Sequence, residues 1–226
     1  MKILLLNGSP KGEKSDTMHI TRSFLAGMND VSENEIEYID IMTKHIEYCT
    51  GCLLCMKNGG RCIQNDDMQE ILKMIIASNL LLFSFPLYCY GIPAPLKALL
   101  DRTMPLSTMA MQKVGDRYEH VGQADYSHIR YCVISGCGFP NAKHNFEALL
   151  MGLEMMFCHD LFTLTIAEAP LFNAPEAVSV TAPFLELIRS AGREYALNGK
   201  VSLELMKKLA MPMIPENVYA DICSGK

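Results

Sequence analysis

Four cysteines, Cys49, Cys52, Cys55 and Cys62, fall within the fourteen-residue stretch CTGCLLCMKNGGRC. Thiolates gathered this densely bind soft metals or exchange with disulfides, and buried thiols pack as small apolar groups. A structural zinc site usually sets two C-x2-C pairs across a longer loop. The C-x2-C-x2-C-x6-C spacing packs three cysteines too tightly for that pattern. A tight run of three with a nearby fourth suits a [4Fe–4S] cluster. Three readings stay open: cluster ligands, thiols packed in a loop over another cofactor, and a transient disulfide involving Cys62.

Three further stretches carry residues suited to a ligand. NGSPKGEKSDT (7–17) is rich in glycine, hydroxyl and lysine side chains and precedes a helical pattern. Backbone N–H groups at a helix start, with hydroxyls and a lysine, suit a phosphate. The stretch lacks G-x-x-x-x-G-K-[ST] and G-x-G-x-x-G, so a terminal monophosphate, as on FMN, fits better than a nucleotide polyphosphate. PLYCYGIPAPLKALLDR (86–102) offers two tyrosines, a cysteine and a glycine after Pro86. A flat apolar ring with a polar edge needs such a wall and backbone donors. SGCGFPN (135–141) has two glycines for close backbone approach and Phe139 to cover a ring face.

The elements that must position these stretches follow from hydrophobic periodicity. KILLLN (2–7), NLLLFSFP (79–86), IRYCVIS (129–135) and LFTLTIAE (161–168) are apolar runs of strand length. EIEYIDI (35–41) alternates with one slip at Tyr38–Ile39, as an edge strand would. Helical spacing appears at Ile20, Phe24 and Met28, with Ser15 or Asp16 as N-cap. It recurs at Met68, Ile71, Leu72, Ile75 and Ile76, with Asp66 or Asp67 as N-cap. Further helices are expected around 94–102, through Phe146, Leu149, Leu150, Leu153 and Phe157, and from near Thr181 and Pro183.

Five β-α repeats predict an α/β fold. It is a three-layer, doubly wound, five-stranded parallel sheet of flavodoxin-like order 2-1-3-4-5. Ligands then sit beyond the carboxyl ends of the strands, where the stretches after strands 1, 3 and 4 converge. The domain is expected over 1–200, with 201–226 as a short helix and extended tail of the same domain or a dimer arm. Residues 104–127 form a long insertion.

The chain has 226 residues, half of them hydrophobic, and a net charge of −5 with no basic run. Nucleic acid is therefore an unsuitable partner. The first residues, MKILLLNGSP, hold too short an apolar run for a signal peptide. No apolar stretch is long enough to span a membrane. Nine cysteines, an odd number without secreted-scaffold spacing, predict a reducing cytoplasm.

At these motifs the chain resembles the NAD(P)H-dependent FMN reductases of the flavodoxin-like superfamily, especially the branch that includes the iron–sulfur flavoproteins. The matching residues are LNGSPK…SDT, the four-cysteine stretch followed by DDM, PLYCYGIPAPLKALLDR and SGCGFP, in that order over roughly residues 1–200. The resemblance implies an FMN phosphate at Ser9, Lys11, Ser15, Asp16 (through its backbone) and Thr17. It implies isoalloxazine contacts from Pro86, Leu87, Tyr88, Cys89, Tyr90 and Gly91, and from Gly136, Cys137, Gly138 and Phe139. PLYCYGIPA departs from the more polar or glycine-rich stretch of many members. The implied activity is an oxidoreductase passing hydride from NAD(P)H to FMN and on to a quinone, a flavin or a redox protein. It needs no catalytic side chain, because the flavin carries the chemistry. A homodimer or homotetramer is implied. One alternative is an iron–sulfur flavoprotein with a [4Fe–4S] cluster at Cys49, Cys52, Cys55 and Cys62. Another is a non-enzymatic flavodoxin-like electron carrier.

Other residues read as structural. Asp66 and Asp67 are expected to be helix caps, Arg102 to pair with Asp101 or cap its helix, and the six histidines to be surface or capping groups. Met155, Met156, Met206 and Met211 are expected in the core.

Overall fold

The computed structural model describes residues 1–157 and 161–225. The expectations for His159 and for Lys226 of the tail lie outside the described residues.

The chain opens with β1 (Lys2–Asn7), followed by α1 (Asp16–Asn29), β2 (Glu35–Asp40), the short α2 (Leu54–Lys57) and α3 (Met68–Ala77). Then come β3 (Leu80–Pro86), α4 (Ala94–Asp101), the hairpin β4 (Ser107–Val114) and β5 (Arg117–Gly122), β6 (Arg130–Gly136) and α5 (Glu147–Met156). The chain continues through β7 (Leu161–Ile166), α6 (Val178–Asn198), α7 (Leu203–Leu209) and α8 (Glu216–Cys223). β2, β1, β3, β6 and β7 form one parallel sheet in that order, which is the predicted 2-1-3-4-5.

The period-2 pleat explains why the central strands read as unbroken apolar runs. Ile3 and Leu5 of β1, Leu80 and Leu82 of β3, and Cys132 and Ile134 of β6 face one core with α1, α6 and α7. Leu4 and Leu6, Leu81 and Phe83, and Val133 face the other, with α3, α4 and α5. Each such side chain removed from water contributes about 1.5–3 kcal/mol. The slip in β2 has the same cause: Tyr38 packs on the first core and Ile39 in the second.

Two glycines let α1 and α6 cross closely. A Cβ on Gly27 would sit 1.9 Å from the carbonyl oxygen of Arg189, and one on Gly192 would sit 2.0 Å from that of Phe24. Asp30, at the end of α1, accepts from Arg189 Nε at 2.8 Å and from Arg193 Nε at 2.8 Å. These guanidinium hydrogen bonds hold its carboxyl well below the usual range.

Several expectations need correction. Ile76 is exposed, because it lies off the face of α3 that buries Met68, Ile71, Leu72 and Ile75. α6 starts at Val178, so Pro183 lies inside the helix and not in its first turn. Residues 107–122 form an antiparallel hairpin turning at Gly115, whose φ is +61°. The segment beyond 200 holds two helices, with Leu205 and Leu209 in the core and Tyr219 buried, and is not an extended tail. Met155, Met156 and Met211 are exposed, and only Met206 packs against the core.

Candidate functional site

Asn7 ends β1 and organises the first loop. Its Oδ1 accepts from Ser9 N at 3.0 Å, and its Nδ2 donates to Tyr38 OH at 3.0 Å. Ser9 is buried, and its Oγ accepts from Lys11 N at 3.3 Å. Ser15 is the N-cap of α1, accepting from Met18 N at 3.1 Å through Oγ. The N–H groups of Asp16 and Thr17 open the helix, where the ladder offers no partner and the dipole is positive. Lys11 Nζ lies 3.1 Å from Asp16 Oδ2. Asn173, after β7, braces this end by donating from Nδ2 to Lys14 O at 3.0 Å and to Asp16 Oδ1. Nothing in the local sequence around Asn173 signals that role.

The three loops are knit to one another. Gly8 N donates to Ser84 O at 2.9 Å, joining the first loop to β3. Leu87 N donates to Gly136 O at 2.8 Å, joining the second loop to the third. Thr17 is buried against Gly136, where an added Cβ would stand 3.4 Å from Thr17 Oγ1 and 2.7 Å from Ala169 Cβ. A glycine is therefore required at 136 for this approach.

In the second loop Pro86 and Leu87 are half-buried, and Tyr88–Gly91 form a tight turn. Tyr88 N donates to Gly91 O at 3.2 Å, and Gly91 N donates to Tyr88 O at 2.9 Å. The two middle residues, Cys89 and Tyr90, have φ of +49° and +60°. Two successive side-chain-bearing residues in the left-handed region cost about 1–3 kcal/mol each, and such strain clusters at ligand sites. The turn aims the Tyr90 ring at Phe139 of the third loop: the centroids are 6.2 Å apart with planes 12° from parallel. Both rings remain about half exposed. Gly138 is exposed, whereas Cys137 is buried in the core below, and burial pushes its thiol up. Only the backbone of Cys137 is left for the crevice.

Two residues outside the predicted set hold the third loop. Glu168, buried with φ +54°, donates its N–H to Phe139 O at 2.9 Å and accepts from Met213 N at 2.5 Å. Burial raises its carboxyl above the ordinary value. Tyr219 OH donates to Gly138 O at 3.2 Å, tying α8 to the same loop.

The four clustered cysteines line one cavity of about 330 Å³, together with Arg102, Gln64 and Met104. Cys49 and Cys52 are exposed, Cys62 is half-buried and Cys55 is buried. Burial pushes the Cys55 thiol up, and the neighbouring Cys62, Cys52 and Cys49 add to it. The Leu54 N–H and then the Thr50 hydroxyl draw Cys52 down. Among the described residues no His, Cys, Asp or Glu group is gathered closely enough for a single metal ion. A polynuclear cluster makes a different demand, because its thiolate ligands stand around the edge of a larger volume. Four sulfurs sharing one cavity, with mutual repulsion that a cationic group relieves, fit that demand.

Arg102 takes the C-cap position of α4, as expected, but its side chain does not pair with Asp101. Lys97 takes Asp101, at 2.6 Å, while Arg102 turns inward to Asp66 at 2.6 Å with both side chains essentially buried. Asp67 takes the N-cap position of α3, with its Oδ2 accepting from His45 N at 2.8 Å, while Asp66 just before it accepts from Met68 N at 3.2 Å.

A family described by its flavodoxin-like fold matches residues 1–157, and the chain belongs to it. An iron–sulfur flavoprotein of Methanocaldococcus jannaschii is 34% identical over 108 residues, which are 47% of this chain and 53% of that protein. The chain thus spans about half the length of the curated relatives it matches. Among solved structures, an NAD(P)H:quinone oxidoreductase from Methanothermobacter marburgensis superposes with a TM-score of 0.61 at 17% identity, covering 86% of this chain and 96% of that one. An FMN-dependent NADH-azoreductase from Bacillus anthracis, solved in complex with FMN, gives 0.60 at 18% identity, covering 86% and 99%. At such identities these two likenesses speak for the fold alone. No helix among the described residues is long and apolar enough to cross a membrane.

Proposed function

We propose that the protein is an FMN-dependent oxidoreductase that takes reducing equivalents from NAD(P)H and delivers them to a small-molecule or redox-protein acceptor. The observation that carries this reading is the joining of three ligand-suited loops at the carboxyl edge of the sheet by the Gly8–Ser84, Leu87–Gly136 and Thr17–Gly136 contacts. The names borne by the relatives support it. When bound, FMN supplies hydride acceptance and one- or two-electron transfer.

The chain's own residues bind and orient. The Asp16 and Thr17 N–H groups, with the hydroxyls of Ser9, Ser15 and Thr17 and the Lys11 ammonium, hold the phosphate at the positive end of α1. Tyr90 and Phe139 supply aromatic faces for the ring system. The backbone of residues 86–91 and 136–138 supplies hydrogen-bonding groups to its polar edge. No side chain is assigned a proton-transfer role. The chain acts as a homodimer or homotetramer in this reading.

The four thiols in one cavity favour a second, compatible reading: an iron–sulfur flavoprotein whose cluster at Cys49, Cys52, Cys55 and Cys62 exchanges single electrons with FMN. An absorbance spectrum of protein purified under nitrogen, with an iron assay and NAD(P)H addition, tests both. Flavin peaks that bleach on mixing with NAD(P)H support the oxidoreductase. About four irons per chain support the cluster. A flavin that stays oxidised with NAD(P)H makes the chain a carrier, and a colourless chain that refuses FMN ends the proposal.

A further inference from the structure

Arg102 is the largest fully buried side chain among the described residues. It leaves the end of α4 and enters the cysteine segment. Nη1 donates to Glu47 O at 2.7 Å, to Asp66 Oδ2 at 2.6 Å and to Gln64 Oε1. Nη2 donates to Asp66 Oδ1 at 3.0 Å and to Cys62 Sγ at 3.5 Å. The buried Nε–H has no hydrogen-bond partner. A buried donor without an acceptor is costly, and the cavity that Arg102 lines is the one lined by the four thiols.

A buried arginine is a poor way to gain stability, because desolvation offsets the attraction of its partner. A helix cap needs neither burial nor a reach to residues 47, 62, 64 and 66. The arrangement does make sense as a support for whatever the thiols hold. Outer hydrogen bonds orient metal ligands, and N–H groups and positive charge beside ligating sulfur favour the reduced state of a cluster.

We propose that Arg102 is the positioning residue of the thiol cavity, fixing Cys62 by an N–H···S contact and placing the positive end of its pair with Asp66 beside the group the four cysteines would ligate. This rests on the iron–sulfur reading of that cavity. Arg102 thereby raises the reduction potential of that group. Asp66 acts through Arg102, holding the guanidinium fork in register.

The test uses the full chain reconstituted under nitrogen with ferrous iron and sulfide, comparing wild type, Arg102→Lys and Arg102→Met/Asp66→Asn. The readouts are iron and FMN per chain, the midpoint potential of the iron-dependent absorbance, and amide hydrogen exchange over residues 47–64 in iron-free protein. The double variant, which leaves no buried charge unpaired, should retain less than half the wild-type iron while keeping its FMN, with exchange at least tenfold faster. Arg102→Lys keeps the charge but loses the fork. It should retain iron at a potential shifted below wild type. Equal iron and equal potential in the variants overturn the inference and leave the iron–sulfur reading standing. A wild-type chain that binds FMN but takes up no iron overturns both. If the double variant does not fold, the potential of Arg102→Lys decides alone, and an unchanged value overturns the inference.

Discussion

Arg102 and Asp66, thirty-six residues apart, form a two-contact ion pair sealed from solvent between the end of α4 and the start of α3. Burial alone would push Asp66 up, but the hydrogen bonds from Arg102 and from Glu47 N outweigh it and leave the carboxyl below its ordinary range. A carboxyl depressed in the folded state stabilises the fold above its unfolded value, about pH 3.9. That contribution disappears as pH falls through the lower folded value.

Removing one partner should therefore cost far more than a surface pair. Arg102→Ala leaves Asp66 as an uncompensated buried charge and should destabilise by about 3–5 kcal/mol in urea unfolding at neutral pH. The deficit should shrink when unfolding is repeated in acid, where Asp66 is protonated in either protein. A loss no larger than that of a surface pair, about 0–1 kcal/mol, would count against the buried geometry.

Ser15→Ala/Thr17→Ala tests the phosphate end. Hydrogen bonds to a charged group contribute about 1.5–3 kcal/mol each, and about 1.4 kcal/mol is a factor of ten in affinity. FMN should bind at least tenfold more weakly by fluorescence titration. Loss of the Ser15 cap should cost about 1 kcal/mol of stability in the same protein. Unchanged FMN affinity would place the phosphate elsewhere.

The left-handed turn at Cys89 and Tyr90 predicts opposite outcomes for two substitutions. Cys89→Gly keeps the turn, relieves its strain and should raise the urea midpoint, by about 1 kcal/mol of stability. Tyr90→Ala removes the ring that faces Phe139 and should weaken FMN binding at little cost in stability. If Cys89→Gly destabilises the fold, the turn is not strained as described.

Glu168 has the opposite sign to Asp66. Its folded value lies above the ordinary glutamate value of about 4.3, because burial disfavours the charge. The native state keeps a proton that the unfolded chain releases, so stability declines as pH rises through that window. Glu168→Gln still accepts from Met213 N and should melt higher than wild type at neutral pH. Thermal melts across this range would show a flat profile for the variant where wild type falls.

The sheet was legible because the pleat writes itself into composition. Strands covered on both faces read as apolar runs, and each loop at the carboxyl edge begins where a run stops. The hairpin escaped because its faces are largely exposed, so β4 offers no clean alternation, although Gly115–Asp116 is a recognisable turn. Pairings across the chain left no trace either. Asp101 is the acid beside Arg102 in sequence, yet a helix gives it to Lys97 four residues away, and the tertiary fold supplies Asp66. Asn173, Glu168 and Tyr219 brace the site from elements that begin after it in the chain, and no local pattern marks such a contact.

α4 starts directly after the second loop and ends on the arginine that enters the thiol cavity. Its eight residues, at a rise of 1.5 Å each, make a rod of about 12 Å. A single stiff element therefore joins the strained turn at Cys89 and Tyr90 to the cavity of the four thiols, so a displacement of the helix is felt at both of its ends.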